Sequence, residues 1–372
     1  MSAGEPSGDL HGGPLALALR ERFPSLTLEA LGGSHLAGAG AAVRFSIEGF
    51  SALGFAEVIR TIPAHWRLLR TLRRDFRAGR YDLIIPVDYP GFNLRLAEAA
   101  RRSRVPVLYY IAPKHWAAGT RLTPRFARAV SRVACILPFE PEFFARFGVP
   151  AEYVGHPLLD QPALPSRSEA RWRLGIQDSD RVLALFPGSR PQEIERLWPQ
   201  FREAARRVLK DGGCNRVLVA ARAGLTYGDP EAGLTLVTDS GLVLAAADAA
   251  IVKSGTATLE TALAGVPMVV AYRVHPVTAW LARRIMRVRW VSLVNLIAGQ
   301  ALVPELLQGE ANADRLVAEV LPLLDRRGSA PLTQRAGFER IRERLGSPGA
   351  AIRVAAMAEE LLGIAGAGAG LD

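Results

Sequence analysis

Cysteine is nearly absent. The chain has two, Cys135 and Cys214, far apart and at no metal-ligand spacing, which excludes a disulfide scaffold or a zinc site and fits a reducing compartment. Long apolar runs are missing too. None reaches the roughly 18 residues that a membrane-spanning helix needs, and the opening Met1-Ser2-Ala3-Gly4-Glu5 lacks the basic and apolar regions of a signal peptide. The expected location is therefore cytoplasmic, and any membrane contact is peripheral. Helix-turn-helix, RNP-like and zinc-finger patterns are also wanting, so nucleic acid is not an expected partner.

What is present is a globular composition, 49% apolar and 22% charged. At 372 residues the chain exceeds the ~250 at which single cores stop growing, so two domains are expected. Lys+Arg 46 against Asp+Glu 36 gives +10, which favours an anionic partner. The excess is almost all arginine, suited to planar, bidentate binding of phosphate.

Short apolar runs alternate with segments of helical period, the pattern of an α/β protein with doubly wound parallel sheets. Buried strands are predicted at Leu83 to Val87, Val107 to Ile111, Ala134 to Leu137, Val182 to Phe186, Val217 to Ala220, Ala249 to Val252 and Met268 to Ala271. Helices are predicted at Pro191 to Lys210 and Thr256 to Ala264. The chain turns Pro-rich and aperiodic from His156 to Ser168, a linker. The expected division is residues 1–165, 166–345, a C-terminal helix at 346–364 packing back on the N-terminal domain, and a disordered Gly/Ala tail at 365–372. Gly4-Glu5-Pro6-Ser7-Gly8-Asp9 reads as a strand-to-helix loop before an amphipathic helix from Leu10 to Phe23, or else as a frayed terminus. Only three residues precede it, so the first strand of the N-terminal sheet is expected to be missing, with an apolar segment encoded upstream.

Two loops have the chemistry of anion sites. Strand Val182 to Phe186 runs through Pro187-Gly188-Ser189-Arg190 into a helix, whose N-terminus offers free N–H groups and the positive end of its dipole, with Arg190 able to fork onto the same anion. The strand ending at Val252 leads to Lys253-Ser254-Gly255-Thr256-Ala257-Thr258, and Glu260 follows where a carboxylate could accept both hydroxyls of a ribose. Each has a plain alternative, a capped helix with solvated side chains. Both loops lie at carboxyl ends of strands, where open sheets bind ligands. In the first half, strand Leu83 to Val87 delivers Asp88, a general base or a helix cap from position alone. His11, His115 and His156 are too scattered for a metal site; His156, at the linker, is the one with a candidate role. Basic amphipathic stretches at Phe55 to Arg77 (Trp66, Leu69, Leu72 and Phe76 among Arg67, Arg70, Arg73, Arg74 and Arg77) and at Trp280 to Trp290 (Arg283, Arg284, Arg287 and Arg289) suit an anionic membrane surface or a core stripe with solvated arginines.

The motifs Gly4-Glu5-Pro6-Ser7-Gly8-Asp9, Val87-Asp88-Tyr89-Pro90-Gly91-Phe92-Asn93, Leu137-Pro138-Phe139-Glu140, Gly155-His156-Pro157, Phe186-Pro187-Gly188-Ser189-Arg190, Ser254-Gly255-Thr256-Ala257-Thr258-Leu259-Glu260 and Val291-Ser292-Leu293-Val294-Asn295-Leu296 together resemble, in order, those of the lipid-A-disaccharide synthase family. The resemblance implies a GT-B fold, two Rossmann-like domains facing across a cleft, and metal-independent, cofactor-free transfer of diacylglucosamine from UDP to diacylglucosamine 1-phosphate with inversion. By it Asp88 matches a general base and Arg190 an arginine required for activity. Gly188, Ser189, Arg190, Ser254, Gly255, Thr256, Ala257, Glu260, Tyr272 and Asn295 would hold the UDP-sugar, and Glu5, Ser7, Asp9, Asn93, Trp116 and His156 would lie on the acceptor side. A peripheral place on the inner face of the cytoplasmic membrane follows, and a homodimer is left open. The chain departs from the pattern at Gly91, where the family has a second acidic residue, and at His115-Trp116-Ala117-Ala118, which keeps one of two tryptophans. Both departures touch the acceptor. A GT-B transferase with another acceptor, or a UDP-sugar-binding protein without turnover, are the rival readings.

Overall fold

The computed structural model describes residues 1–47, 55–228, 232–286 and 288–363; the tail expected to be disordered at 365–372 lies outside them. The chain divides into two compact units, Met1–Gln161 with Ser347–Asp372, and Pro162–Gly346.

The first unit contains helices α1 (Pro6–Arg22), α2 (Ser34–Gly38), α3 (Phe55–Arg77), α4 (Pro90–Arg102), α5 (His115–Ala118), α6 (Thr123–Ala129) and α7 (Glu140–Ala145), and strands β1 (Glu29–Gly32), β2 (Ala42–Ser46), β3 (Leu108–Tyr110), β4 (Arg132–Cys135) and β5 (Ala151–Tyr153). The second contains α8 (Arg167–Arg173), β6 (Val182–Phe186), α9 (Pro191–Lys210), β7 (Arg216–Ala220), β8 (Leu234–Val237), α10 (Ser240–Ala246), β9 (Ala249–Lys253), α11 (Thr256–Leu263), β10 (Met268–Tyr272), α12 (Pro276–Ile285), α13 (Leu293–Ala298), β11 (Glu305–Leu307), α14 (Ala313–Val320) and α15 (Ser329–Leu345); α16 (Ala350–Leu362) returns to the first unit.

The expected absence of a first strand is corrected. Ser2 bridges Leu31 on one side and Pro86 on the other, both in parallel. The Ser2 N–H donates to Ile85 O at 3.0 Å, Val87 N–H to Ser2 O at 2.8 Å, and Ala3 N–H to Leu31 O at 2.9 Å. Three residues therefore do the work of a central strand. Segment 84–87 bridges β3 in turn, and its ladder is broken because Pro86 has no N–H to donate between those of Ile84 and Asp88. The parallel order is thus β2, β1, residues 1–3, 84–87, β3, β4, β5.

Alternation along these strands fills two cores. Ile84, Val107, Tyr109 and Val133 face α3, α4 and α6, while Ile85, Val87, Leu108, Tyr110 and Ala134 face α1, α2 and α16. Helix α1 is not the amphipathic helix expected. Gly8, Gly12 and Gly13 are buried beside Leu15 and Leu19, because it lies between the strand Val87, α2 and α16. The α16 helix is tied down by an Arg22–Glu359 ion pair and by Arg353 Nε donating to Val154 O at 2.7 Å.

In the second unit the parallel order is β11-β10-β9-β6-β7-β8. Val182 to Phe186 is buried throughout, as a strand covered on both faces must be. One face packs on α9 and α14. Behind the amino ends of β6 and β9, Asp248 accepts from Arg167, Arg171 and Arg326 at 2.6, 3.0 and 2.7 Å and from Val182 N–H at 2.8 Å. Burial lifts its carboxyl, but these donors outweigh that and hold it below the ordinary aspartate value.

Candidate active site

At the carboxyl edge of the first unit, segment 84–87 ends in Asp88 and Tyr89, both with positive φ, 49° and 51°. Such backbone is strained for residues other than glycine, and it is clamped in place. The Asp88 N–H donates to Tyr110 O at 3.0 Å, and Asp88 O accepts from Tyr109 OH and Asn93 Nδ2, each at 2.8 Å. The half-buried Asp88 carboxyl is raised by desolvation, against the pull of Lys114 and the Tyr89 N–H. That is the direction a general base needs at neutral pH.

Several sequence candidates prove to be internal. Asn93, fully buried, also pairs with Ser2 Oγ at 2.6 Å, so it positions Asp88 and has no free atom for a ligand. Asp9 caps a helix: its carboxylate accepts the N–H groups of Gly33, His35 and Leu36 at the start of α2. His156 caps a helical turn, its Nδ1 accepting Leu158 N–H at 3.2 Å. Burial, with the nearby His11 and Lys114, pushes it down to about 4, so it is neutral at physiological pH. Gly4 is small for Tyr89, not for a ligand, since a Cβ there would collide with that ring. Glu5, at the N-cap of α1, is half-buried and Ser7 is exposed. Gly91 is exposed with open space around it.

Trp116 leads to a residue that carried no role in the sequence. Its Nε1 donates to Glu140 Oε1 at 3.1 Å, and Glu140 Oε2 accepts from Ile136 and Leu137 N–H. Those two residues were expected to extend β4; the carboxylate takes their N–H groups instead. Burial pushes Glu140 up to about 7 despite these donors.

In the second unit, parallel pairing of β6 with β9 and of β9 with β10 puts three loops side by side. Gly188, Ser189 and Arg190 precede α9, whose N1 residue is Pro191, and Lys253, Ser254 and Gly255 precede α11. Gly188 sits at φ 127°, and a Cβ there would lie 2.7 Å from Glu193 Oε2. Lys253 joins the two loops by an ion pair with Glu193 at 2.7 Å, and its ammonium lies 5.9 Å over the ring of Tyr272 on β10. The first N–H groups of α11, at Thr256 and Ala257, have no partner within the helix. The half-buried Glu260 carboxylate is raised by desolvation against the pull of Arg222.

Two candidates here are taken up internally. Ser254 Oγ donates to Val291 O at 3.0 Å. Asn295 is buried with both amide hydrogens and its oxygen engaged: Nδ2 donates to Val303 O and Glu305, and Oδ1 accepts Leu302 and Val303 N–H. These bonds brace the loop from Val291 to Glu305. Sequence reasoning missed Lys114, Glu140, Glu193 and Lys253 as site residues. A signal existed: the chain has three lysines, and Lys114 and Lys253 are two of them.

Two units, each built on a parallel sheet with its candidate loops at the carboxyl edge, are the architecture of the GT-B fold. The fold is shared with a UDP-N-acetylglucosamine 2-epimerase, described as putative, from Listeria monocytogenes (TM-score 0.64, 13% identity, 96% of this chain and 95% of that one). It is shared also with Arabidopsis thaliana UGT89C1 complexed with UDP (TM-score 0.62, 14% identity, 97% of each). The lipid-A-disaccharide synthetase family model matches residues 1–347. Lipid-A-disaccharide synthases of Geobacter metallireducens and Myxococcus xanthus are each 41% identical to this chain, over 97% of it and 96% of theirs. The chain belongs to the lipid-A-disaccharide synthase family, and so is a glycosyltransferase that joins a sugar donor to a sugar acceptor.

Proposed function

We propose that the chain transfers 2,3-diacylglucosamine from UDP to the 6-hydroxyl of 2,3-diacylglucosamine 1-phosphate, with inversion, giving the β-1,6 disaccharide 1-phosphate and UDP. The observation that carries this reading is the adjacency of the Gly188 to Arg190 and Lys253 to Thr256 loops at the ends of neighbouring strands. The acceptor oxygen bonds to the anomeric carbon as the bond to the diphosphate oxygen breaks, and Asp88 takes the hydroxyl proton. Charge building on the departing diphosphate meets Arg190, Lys253 and the N-termini of α9 and α11. Glu260 suits the ribose hydroxyls. A cavity of about 540 Å³ opens beyond Tyr272, where Val274, Pro276 and Ala279 adjoin Arg196 and Arg273, a lining that favours an acylated, anionic donor.

Acylated substrates imply a membrane surface, and no helix among the described residues is long and apolar enough to cross one. The apolar stripe of α3 is core, with Leu69, Leu72 and Phe76 buried, which leaves Trp66, 55% exposed, with Arg67, Arg70 and Arg74 outward. Exposed Trp280 stacks on Arg284 at 3.8 Å; Arg287 and the side chain of Arg283 lie outside the described residues. These two faces support peripheral contact with the inner leaflet. Incubation with UDP-2,3-diacylglucosamine and the 1-phosphate acceptor tests the reading. UDP release above a heat-killed control is expected, and its absence overturns the assignment.

A further inference from the structure

The cradle before α9 already holds an anion, and that anion is part of the chain. Glu193 Oε2 accepts the Ser189 N–H at 3.0 Å, and Glu193 Oε1 accepts from Lys253 Nζ at 2.7 Å. Arg190 Nη1 stands 3.8 Å from the same Oε1. A backbone N–H at a helix start, an ammonium and a guanidinium are the donors a diphosphate needs. Glu193 and Lys253 are mostly buried, at 16% and 19% side-chain exposure, so the pairing is not a loose surface contact. Glycine at 188 leaves the room that the carboxylate occupies.

Burial raises the Glu193 carboxyl, but Lys253, the Ser189 N–H and Arg190 outweigh it and hold the group below the ordinary glutamate value. It is therefore ionised whenever the cradle is empty at neutral pH. The Ser189 N–H carries one hydrogen and cannot serve a carboxylate and a diphosphate at once, and like charges at such range repel.

We propose that Glu193 is a built-in competitor for the nucleoside diphosphate: it fills the cradle when the site is empty, swings out when the diphosphate enters, and returns as the diphosphate leaves. The inference rests on the reading of this edge as the UDP site. Its consequence is kinetic. A ligand that must displace an internal anion binds more weakly by the free energy of that contact, and product UDP leaves faster.

The test is calorimetric titration of UDP and of uridine into the wild-type protein, Glu193→Gln and Glu193→Asp. Gln removes the charge; Asp keeps it on a side chain one methylene shorter, too short for Ser189 N–H and Lys253 together. Both variants are expected to bind UDP about tenfold tighter, with uridine affinity unchanged because uridine carries no phosphate. Tightening by Gln alone means simple repulsion and overturns the displacement; weaker UDP binding in both makes Glu193 a supporting residue and overturns it too. If UDP binds none of the three proteins, the site reading itself falls and takes the proposal with it. A structure of the wild-type protein with UDP serves where a variant fails to fold: Glu193 still accepting the Ser189 N–H beside bound UDP overturns the proposal, and a displaced side chain supports it.

Discussion

Asn93 donates from Nδ2 to the carbonyl oxygen of Asp88 at 2.8 Å, closing a turn in which Asp88 and Tyr89 both take positive φ. Two such residues cost roughly 1–3 kcal/mol each and persist only where the surroundings over-determine them. Asn93→Ala is expected to let Asp88 relax, lowering turnover about 100-fold while UDP affinity stays within about twofold of wild type. It also leaves buried acceptors unpaired, a loss of about 2 kcal/mol in urea denaturation. Turnover unchanged in initial-rate assays would sink the positioning role.

Arg190 is 64% exposed and its ion pair with Glu193 is long, at 3.8 Å. Its removal therefore touches chemistry more than stability. Arg190→Ala is expected to lower kcat by about 10²–10³ with a melting temperature shifted by less than about 2 °C. Lysine restores part of the rate, since it supplies charge without the planar fork. A variant that turns over at the wild-type rate removes Arg190 from the leaving-group contact.

Glu140 predicts a pH signature. Burial raises its carboxyl to about 7 from an ordinary 4.5, so the folded protein binds more protons than the unfolded chain in that interval. The contribution is fully present below the unfolded value and is lost as pH rises through the folded one. Relative to Glu140→Gln, wild-type stability is expected to fall by up to about 1.4 kcal/mol per pH unit across this window and then level off. Urea denaturation of both proteins from acid to neutral pH measures it; a constant difference contradicts the assignment.

Asp248 neutralises Arg171, which is 1% exposed. Asp248→Ala strands a buried guanidinium and is expected to cost about 3–5 kcal/mol. Chemical denaturation decides it, and a loss under about 1 kcal/mol shows that Arg167, Arg171 and Arg326 are solvated after all.

Much of the architecture was legible because strand and helix periods are local. Helix α9 spans the predicted residues, Pro191–Lys210, since a proline at its start and an apolar stripe along one face need no distant partner. The strands missed, such as β2, which alternates exposed with half-buried residues, and β8, which has one buried residue, do not stand out as apolar runs. Asp88 and Arg190 were legible as site candidates for the same local reason: each follows a buried strand.

By itself the sequence determined the alternation of strands and helices, the loops at strand ends, and the family those loops resemble. Only the tertiary structure decided which polar groups are available. Asn295 and Asp9 looked like ligand contacts and are bound by neighbours from other segments, while Glu193 and Lys253, 60 positions apart, meet in one cradle. The physical reason is that period depends on adjacent residues, whereas each buried donor or acceptor takes whichever partner folding brings to it. That is also why Met1 to Ala3, too short to register as a strand, becomes one between two neighbours that supply its hydrogen bonds.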